Sequence, residues 1–157
     1  MQLSAHFSFE ELIASDTAVR AGIDNTPTPG ALANLKILAN HLEIVRGILG
    51  KPMHISSGYR CPGLNQLVGG SSHSAHMTGC AVDFICPAFG NPYQTIDALM
   101  LSSVTFDQII HEFGSWVHFA IAPTGAPMRQ EVLTTGLHGT YERGLKPLKN
   151  SGPLIAN

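Results

Sequence analysis

Residues 71–84 read Ser71-Ser72-His73-Ser74-Ala75-His76-Met77-Thr78-Gly79-Cys80-Ala81-Val82-Asp83-Phe84, a polar, glycine-containing loop that runs directly into an apolar strand. His76 lies in the loop, and Asp83 lies within the strand. A carboxylate is costly to bury in apolar surroundings unless a partner compensates its charge, and a metal ion is one such partner. This stretch therefore predicts either a metal site or a core histidine hydrogen-bonded to a buried aspartate.

A third candidate ligand is His118, which Val117 and Phe119 flank in another apolar segment. Two histidines and one carboxylate match an open catalytic zinc site, in which a water molecule fills the fourth position. The spacing alone also fits a structural His–Asp pair. His73, Cys80 and Cys86 are weaker candidates, because their segment lacks a helical pattern and small buried cysteines are common.

A β-hairpin is predicted around the loop Phe113-Gly114-Ser115. A three-residue loop pairs Glu112 with Trp116 and Ile110 with His118. Side chains alternate between faces, so Glu112 and His118 become diagonal neighbours on one face. A carboxylate in that position can contact a water beside a metal ion, whereas a two-residue loop would turn Glu112 to the opposite face. Taken alone, Glu112 also fits an exposed carboxylate at a strand end.

The fold class predicted from the pattern is α+β, with N-terminal helices packed on a small antiparallel sheet. The clearest helix follows Thr28, a potential N-cap, and ends at Gly50. Its apolar residues recur at intervals of three and four, as expected for one buried stripe: Leu35, Leu38, Leu42, Val45 and Leu49. Strands are predicted at 53–56, 81–85, 106–112, 116–121 and 130–134.

Composition restricts the function further. The 157 residues fit one domain, predicted at 1–144, followed by a loosely ordered tail at 145–157. Nine Lys and Arg against eleven Asp and Glu give a net charge of −2, so the basic excess typical of a nucleic-acid-binding surface is missing. The three cysteines are an odd number, which argues against a disulfide framework. Neither a signal peptide nor a membrane-spanning run is recognised, and we expect a monomer made in the cytoplasm.

Further motifs create a family resemblance. They are Lys51-Pro52-Met53-His54-Ile55-Ser56-Ser57-Gly58-Tyr59-Arg60, Leu64-Asn65, Val68-Gly69-Gly70-Ser71, Ser74-x-His76-x-x-Gly79-x-Ala81-x-Asp83-Phe84 and Trp116-Val117-His118. This ordered set closely resembles the M15 family of zinc peptidases, which includes D-Ala-D-Ala carboxypeptidases and phage endolysins that cut peptidoglycan peptides. The resemblance covers residues 6–122 and is best for the small single-domain branch of phages and prophages. It implies a hedgehog/DD-peptidase-like fold whose sheet carries one Zn²⁺ ion, held by three protein ligands plus water.

The resemblance also implies roles for individual residues. His76, Asp83 and His118 match the metal ligands. Arg60 matches the arginine that faces the substrate carbonyl or the developing oxyanion, and Ser74 matches a position beside the metal loop that contacts substrate.

The general base departs from the commonest family pattern. Many M15 enzymes have a glutamate three residues before the last histidine ligand, where this chain has Ser115. The related hedgehog signalling domain has a glutamate six residues before that histidine, which is the offset of Glu112. We therefore expect Glu112 to be the base. Trp116 and Tyr59 are candidate substrate contacts, and each has core packing as its alternative.

The predicted function is zinc-dependent hydrolysis of peptidoglycan stem peptides, by a D-Ala-D-Ala carboxypeptidase or by an endopeptidase at an L-Ala-D-Glu or cross-link bond. A phage or prophage enzyme of this kind would act in the periplasm or cell wall after release by a holin or another partner, without inserting into the membrane. The alternative is a non-catalytic, zinc-stabilised binding module of a virion or secretion system. Arg60 and Glu112 favour the enzyme, because a purely structural zinc site normally has four protein ligands. Nuclease activity ranks third, since no basic groove is evident.

Overall fold

The computed structural model describes residues 1–136 and 138–148. Short helices and strands alternate along the chain around one long helix. The elements are α1 (Phe9–Ile13), α2 (Asp16–Ala21), α3 (Pro29–Leu49), β1 (His54–Ser57), α4 (Pro62–Leu67), a 3₁₀ turn (Ala75–Thr78), β2 (Ala81–Ile85), α5 (Pro92–Met100), β3 (Gln108–Glu112), β4 (Trp116–Ala120), β5 (Glu131–Thr135) and β6 (Tyr141–Arg143). The predicted α+β class is confirmed.

Helix α3 begins and ends where its capping residues predict. The hydroxyl of Thr28 accepts a hydrogen bond from the backbone N–H of Ala31 at 3.2 Å, and Gly50 closes the helix in the left-handed conformation, with φ of 62°. The predicted apolar stripe is fully buried in the hydrophobic core: Leu35, Leu38, Leu42, Val45 and Leu49. Burial of this stripe against the sheet fixes the position of α3 in the fold.

The six strands form one sheet in the order β1-β2-β4-β3-β5-β6. Every neighbouring pair is antiparallel except β3 and β5, so the predicted antiparallel sheet contains one parallel pair. The physical reason is the position of the strand ends. Since β4 ends beside the start of β3, and β4 already pairs with β2 on its other side, the following segment starts β5 at the free edge of β3.

The sheet has one core face and one face that carries the candidate site. Apolar residues alternate onto the core face and are buried: Val82, Phe84, Ile109, Val117 and Phe119. The residues that alternate with them along the strands point the other way, and these include Asp83, Glu112 and His118.

Two regions differ from the sequence prediction. Helix α2 and strand β6 are not among the predicted elements. Part of the predicted tail is packed rather than loose: Leu145 lies against the core, and the backbone N–H of Lys146 donates to the hydroxyl of Thr134 at 2.9 Å. Residues 149–157 of that tail lie outside the described residues. Within the described ranges, none of the helices combines the length and apolarity required to cross a lipid bilayer.

Candidate active site

Three buried side chains from three elements converge on the site face and are called the ligand cluster here. His76 comes from the 3₁₀ turn, Asp83 from β2 and His118 from β4, where Asp83 and His118 are directly paired across the strands. One oxygen of Asp83, Oδ1, lies 3.2 Å from Nε2 of His76 and 3.0 Å from Nδ1 of His118. The candidate donor atoms of the three residues all lie within 4.8 Å of one another.

The local chain geometry brings His76 to the cluster. Ser74 caps the 3₁₀ turn, because its hydroxyl accepts the backbone N–H of His76 at 3.3 Å. Gly79 ends the turn with φ of 73°, and a Cβ there would lie 2.4 Å from the carbonyl oxygen of Ala31. Glycine is therefore the residue that fits, because both the backbone conformation and the close approach of α3 disfavour a side chain.

The hydrogen bonding of His76 indicates that a cation belongs in the cluster. Its Nδ1 lies 2.7 Å from the carbonyl oxygen of Gly58, and a carbonyl can only accept, so Nδ1 carries the proton. In the neutral ring, Nε2 then presents a lone pair to the carboxylate of Asp83, which is also an acceptor. Burial lowers the pKa of His76 and so opposes the protonated ring that would relieve this contact. A metal ion between the two acceptors resolves the conflict.

The donor set and its spacing fit zinc. Two ligands at about 2.0–2.1 Å from a tetrahedral Zn²⁺ lie roughly 3.3 Å apart, close to the 3.2 and 3.0 Å separations around Asp83. Two imidazoles and one carboxylate are also typical ligands for catalytic zinc. The residues present therefore fit the ion, and they leave one coordination position for a water molecule or substrate.

Asp83 is held in its ionised form. Burial alone would raise the pKa of its carboxyl group, but the hydrogen bonds and charges of His118 and His76 hold that pKa well below its usual range. Asp83 thus supplies a negative charge next to two ring nitrogens. Within the part of the chain that the structure describes, no second group of three such residues is found.

Glu112 occupies the predicted place at the edge of the cluster. The β3–β4 hairpin has a three-residue loop and pairs Glu112 with Trp116 and Ile110 with His118, which confirms the predicted register. The Glu112 side chain is half-buried, and this burial raises its pKa to about 7. The charge of Asp83 acts in the same direction, whereas His118 and Arg60 oppose it. Its carboxylate can therefore exchange a proton near neutral pH.

A cleft of about 670 Å³ opens above the ligand cluster. Glu112, Arg60, Ser74 and Trp116 line it together with the three cluster residues. The Nε atom of Arg60 is buried and has no hydrogen-bond partner among the described residues. Burial lowers the pKa of this guanidinium, while Asp83 and Glu112 raise it, but an arginine stays charged in proteins. The cleft thus contains three side chains that could hold a metal ion, a carboxylate, and a guanidinium whose Nε has no partner among the described residues.

The protein-family comparison agrees with this geometry. Residues 5–120 match the family model described as Peptidase M15. The chain belongs to the peptidase M15 family. M15 peptidases are zinc-dependent, which is consistent with the His76–Asp83–His118 cluster. Comparison with curated proteins gives no significant match.

Two of the three predicted substrate contacts of this M15 domain line the cleft, and one does not. Trp116 and Ser74 face the cleft beside Glu112. Tyr59 is only 3% exposed and belongs to the hydrophobic core, so the structure places it in the alternative role of core packing rather than against substrate. The reason lies in its neighbours: its backbone N–H donates to the carbonyl oxygen of Leu12 at 2.7 Å, and α1 packs directly on this segment.

Sequence reasoning missed the wall of the M15 cleft that lies beyond the matched residues. Tyr141 of β6 faces the cleft. At another end of the cleft, the guanidinium of Arg129 donates two hydrogen bonds to the carboxylate of Asp107, at 2.9 and 2.8 Å. The short strand around Tyr141 has no detectable period-2 signal. A register argument could have found it only after the pairing of β6 with β5 was known.

Proposed function

We propose that this M15 domain is a zinc-dependent peptidase that hydrolyses peptide bonds in the stem peptides or cross-links of bacterial peptidoglycan. The observation that carries the proposal is the shared cleft, in which Glu112 faces the cluster of His76, Asp83 and His118. The substrate class rests on the resemblance to peptidoglycan-cutting members of the family. The cleft volume supports it, because about 670 Å³ lies within the usual range for small ligands and suits a short peptide.

His76, Asp83 and His118 would hold the metal ion. When bound, zinc would supply polarisation of the scissile carbonyl and a water molecule of lowered pKa. Glu112 would accept a proton from the attacking water and pass it to the leaving amine, so that the hydroxyl adds to the carbonyl carbon and the proton ends on nitrogen. The half-buried position of Glu112 suits both steps, since burial brings its pKa to about 7.

Arg60 would bind the carbonyl oxygen of the scissile bond as negative charge develops on it. Its backbone N–H donates to the carbonyl of His76 at 3.2 Å, which fixes this residue beside the ligand cluster. Its buried Nε lacks a partner among the described residues and is thus free to donate to substrate. Because peptidoglycan lies outside the cytoplasmic membrane, the proposed reaction takes place in the periplasm or the cell wall.

The test is to incubate purified peptidoglycan with the zinc-loaded protein and to identify the soluble products by mass spectrometry. New peptide fragments are expected, and their masses distinguish a carboxypeptidase from an endopeptidase. Glu112→Gln should retain zinc and lose about 10²–10⁴-fold in rate. Glu142→Gln is the matched control. Glu142 is exposed on β6, and it pairs with Thr134, which lies on the face of the sheet opposite the cleft.

Two results would contradict the proposal in different ways. A zinc-loaded wild type that releases no fragments would contradict peptidoglycan hydrolysis and favour the binding module. A Glu112→Gln variant as active as Glu142→Gln would preserve the peptidase and remove Glu112 as its base.

A further inference from the structure

One row of paired residues crosses four strands at the outer end of the cleft. Trp116 pairs with Glu112, Glu112 with Thr135, and Thr135 with Tyr141. Directly paired residues share a face of the sheet, so the side chains of this row lie on the site face. Trp116, Glu112 and Tyr141 all line the cleft. The row therefore places the phenol of Tyr141 on the side of Glu112 that is away from Trp116.

The spacing of the row brings the phenol within reach of a substrate beside Glu112. Strands lie about 4.8 Å apart, so the Cα atoms of Glu112 and Tyr141 are separated by roughly 10 Å. The residue between them, Thr135, is small and only 1% exposed. A tyrosine side chain that extends over it covers most of the distance to Glu112.

The phenol of Tyr141 is an available hydrogen-bond donor. The residue is 60% exposed, and its hydroxyl has no hydrogen-bond partner among the residues that the structure describes. Burial of the phenol and the negative charges of Glu112 and Asp83 raise its pKa, so it keeps its proton at neutral and moderately alkaline pH. Tyr141 lines the cleft together with both carboxylates.

We propose that Tyr141 is a substrate-specificity residue, whose hydroxyl donates a hydrogen bond to a backbone carbonyl of the bound peptide on the Glu112 side. The inference rests on the proposed peptidase function and deepens it. No proton is transferred, because the phenol only donates a hydrogen bond. Arg60, from the loop after β1, and Tyr141, from the opposite sheet edge, then contact the peptide from two sides of the ligand cluster.

The position of Tyr141 explains why it would determine specificity rather than the reaction itself. The matched family segment ends at residue 120, so the ligands, Glu112 and Arg60 lie inside it and β6 lies outside it. A wall built by a segment beyond the matched residues can change without altering the metal site. Such a wall selects which peptide is held next to the base.

The experiment compares kcat and KM of the zinc-loaded wild type, Tyr141→Phe and Tyr93→Phe on soluble muropeptides released from peptidoglycan by a muramidase. Tyr141→Phe removes only the hydroxyl and should lower kcat/KM about fivefold to tenfold, chiefly through KM, the loss expected for one neutral hydrogen bond. Tyr93→Phe is the matched control, since Tyr93 packs against His111 on the other side of the sheet, and its activity should stay within twofold. Equal thermal midpoints confirm that both variants are folded.

Each other outcome has a distinct meaning. Tyr141→Phe kinetics within twofold of wild type would overturn the inference while preserving the peptidase. A fall in kcat at constant KM would also overturn it, because that pattern indicates a disturbed Glu112 rather than a lost substrate contact. A zinc-loaded wild type inactive on muropeptides would overturn the proposed function, and this inference with it.

Discussion

The inner and outer halves of the cleft are built on opposite principles. In the inner half, the ligand cluster of His76, Asp83 and His118 is at most 9% exposed. Oδ1 of Asp83 contacts both histidines, and His76 also contacts the backbone. In the outer half, Glu112 is half-buried and Tyr141 is exposed, and neither side chain has a hydrogen-bond partner among the described residues. Polar groups that bind a fixed ion are arranged in advance, whereas groups that bind a passing substrate remain unpaired until it arrives.

The difference has an energetic origin. A buried charge is destabilising unless it is paired, and Asp83 in its apolar strand lies within hydrogen-bond distance of His76 and His118. A half-exposed carboxylate such as Glu112 keeps part of its hydration and tolerates the absence of a partner. Substitutions in the inner half should therefore remove the metal site, whereas substitutions in the outer half should leave the fold and the metal site intact and lower kcat/KM.

The largest effect is expected from breaking the inner half with Asp83→Ala. Loss of a direct ligand should reduce zinc affinity by more than the 10–100-fold typical of outer-shell partners, and peptidase activity should be lost with the metal. Metal content measured by mass spectrometry after dialysis checks this directly. The control is Asp97→Ala, an exposed aspartate on α5, which should keep zinc and activity. An Asp83→Ala protein that retains stoichiometric zinc would show that the cluster is not the metal site.

The next effect is expected from Arg60→Gln, at the boundary of the two halves. Removing a preorganised cation that faces the developing oxyanion should lower kcat by about 10²–10³-fold and leave zinc content unchanged. Arg20→Gln, an exposed change on α2, should leave kcat unaffected. Steady-state kinetics of both variants measure the effect. A normal kcat for Arg60→Gln would exclude Arg60 as the group that stabilises the oxyanion.

A smaller effect is expected from Trp116→Ala in the outer half. Trp116 lies 5.5 Å from Phe113 between ring centroids and forms an aromatic wall of the cleft. Its loss should raise KM by about tenfold with little change in kcat, because the ring binds substrate without taking part in proton transfer. Phe89→Ala, which truncates an exposed aromatic residue outside the cleft lining, is the comparison. A fall in kcat alone would contradict this assignment.

The smallest effect concerns His111, the neighbour of Glu112 that points to the core face. It is fully buried, and burial lowers its pKa, although Nδ1 lies 3.2 Å from the carbonyl oxygen of Lys146. The unfolded chain therefore binds a proton more readily, and the free energy of unfolding should fall as pH drops below about 6.5. One such group changes this slope by at most about 1.4 kcal/mol per pH unit.

Denaturant unfolding of the zinc-loaded protein between pH 5 and 8 measures this slope, with His111→Gln as the test and His54→Gln, an exposed change on β1, as the control. The His111 variant should have a flatter pH dependence than the control. Identical slopes would show that His111 does not contribute to acid sensitivity.

The inner half of the site was predictable because its signals are local. An aspartate within an apolar strand and a histidine in another such strand indicate buried polar groups that need each other. The register of Glu112 followed from the loop Phe113-Gly114-Ser115, since loop length and the alternation of side chains fix which residues share a face. The α3 stripe was predictable for the same reason of periodicity.

Tyr59 shows where local reasoning fails. It stands next to Arg60 in sequence, yet its ring is buried while Arg60 lines the cleft. The orientation of the Tyr59 ring is set by α1. Gly58 passes so close to this helix that a Cβ on Gly58 would lie 2.1 Å from the carbonyl oxygen of Leu12. The contact between Gly58 and Leu12 could not be predicted from the residue spacing around Tyr59 and Arg60.

By itself, the sequence determined the helix α3, the hairpin and the identity of the residues that can bind a metal, because periodicity and residue chemistry act over short distances along the chain. Only the tertiary structure decided the tautomer of His76, the burial of Tyr59 and the place of Tyr141 opposite Glu112. Each of these depends on a contact between segments far apart in sequence. Such contacts are selected by the packing of the whole chain, where burial and hydrogen bonding are satisfied together.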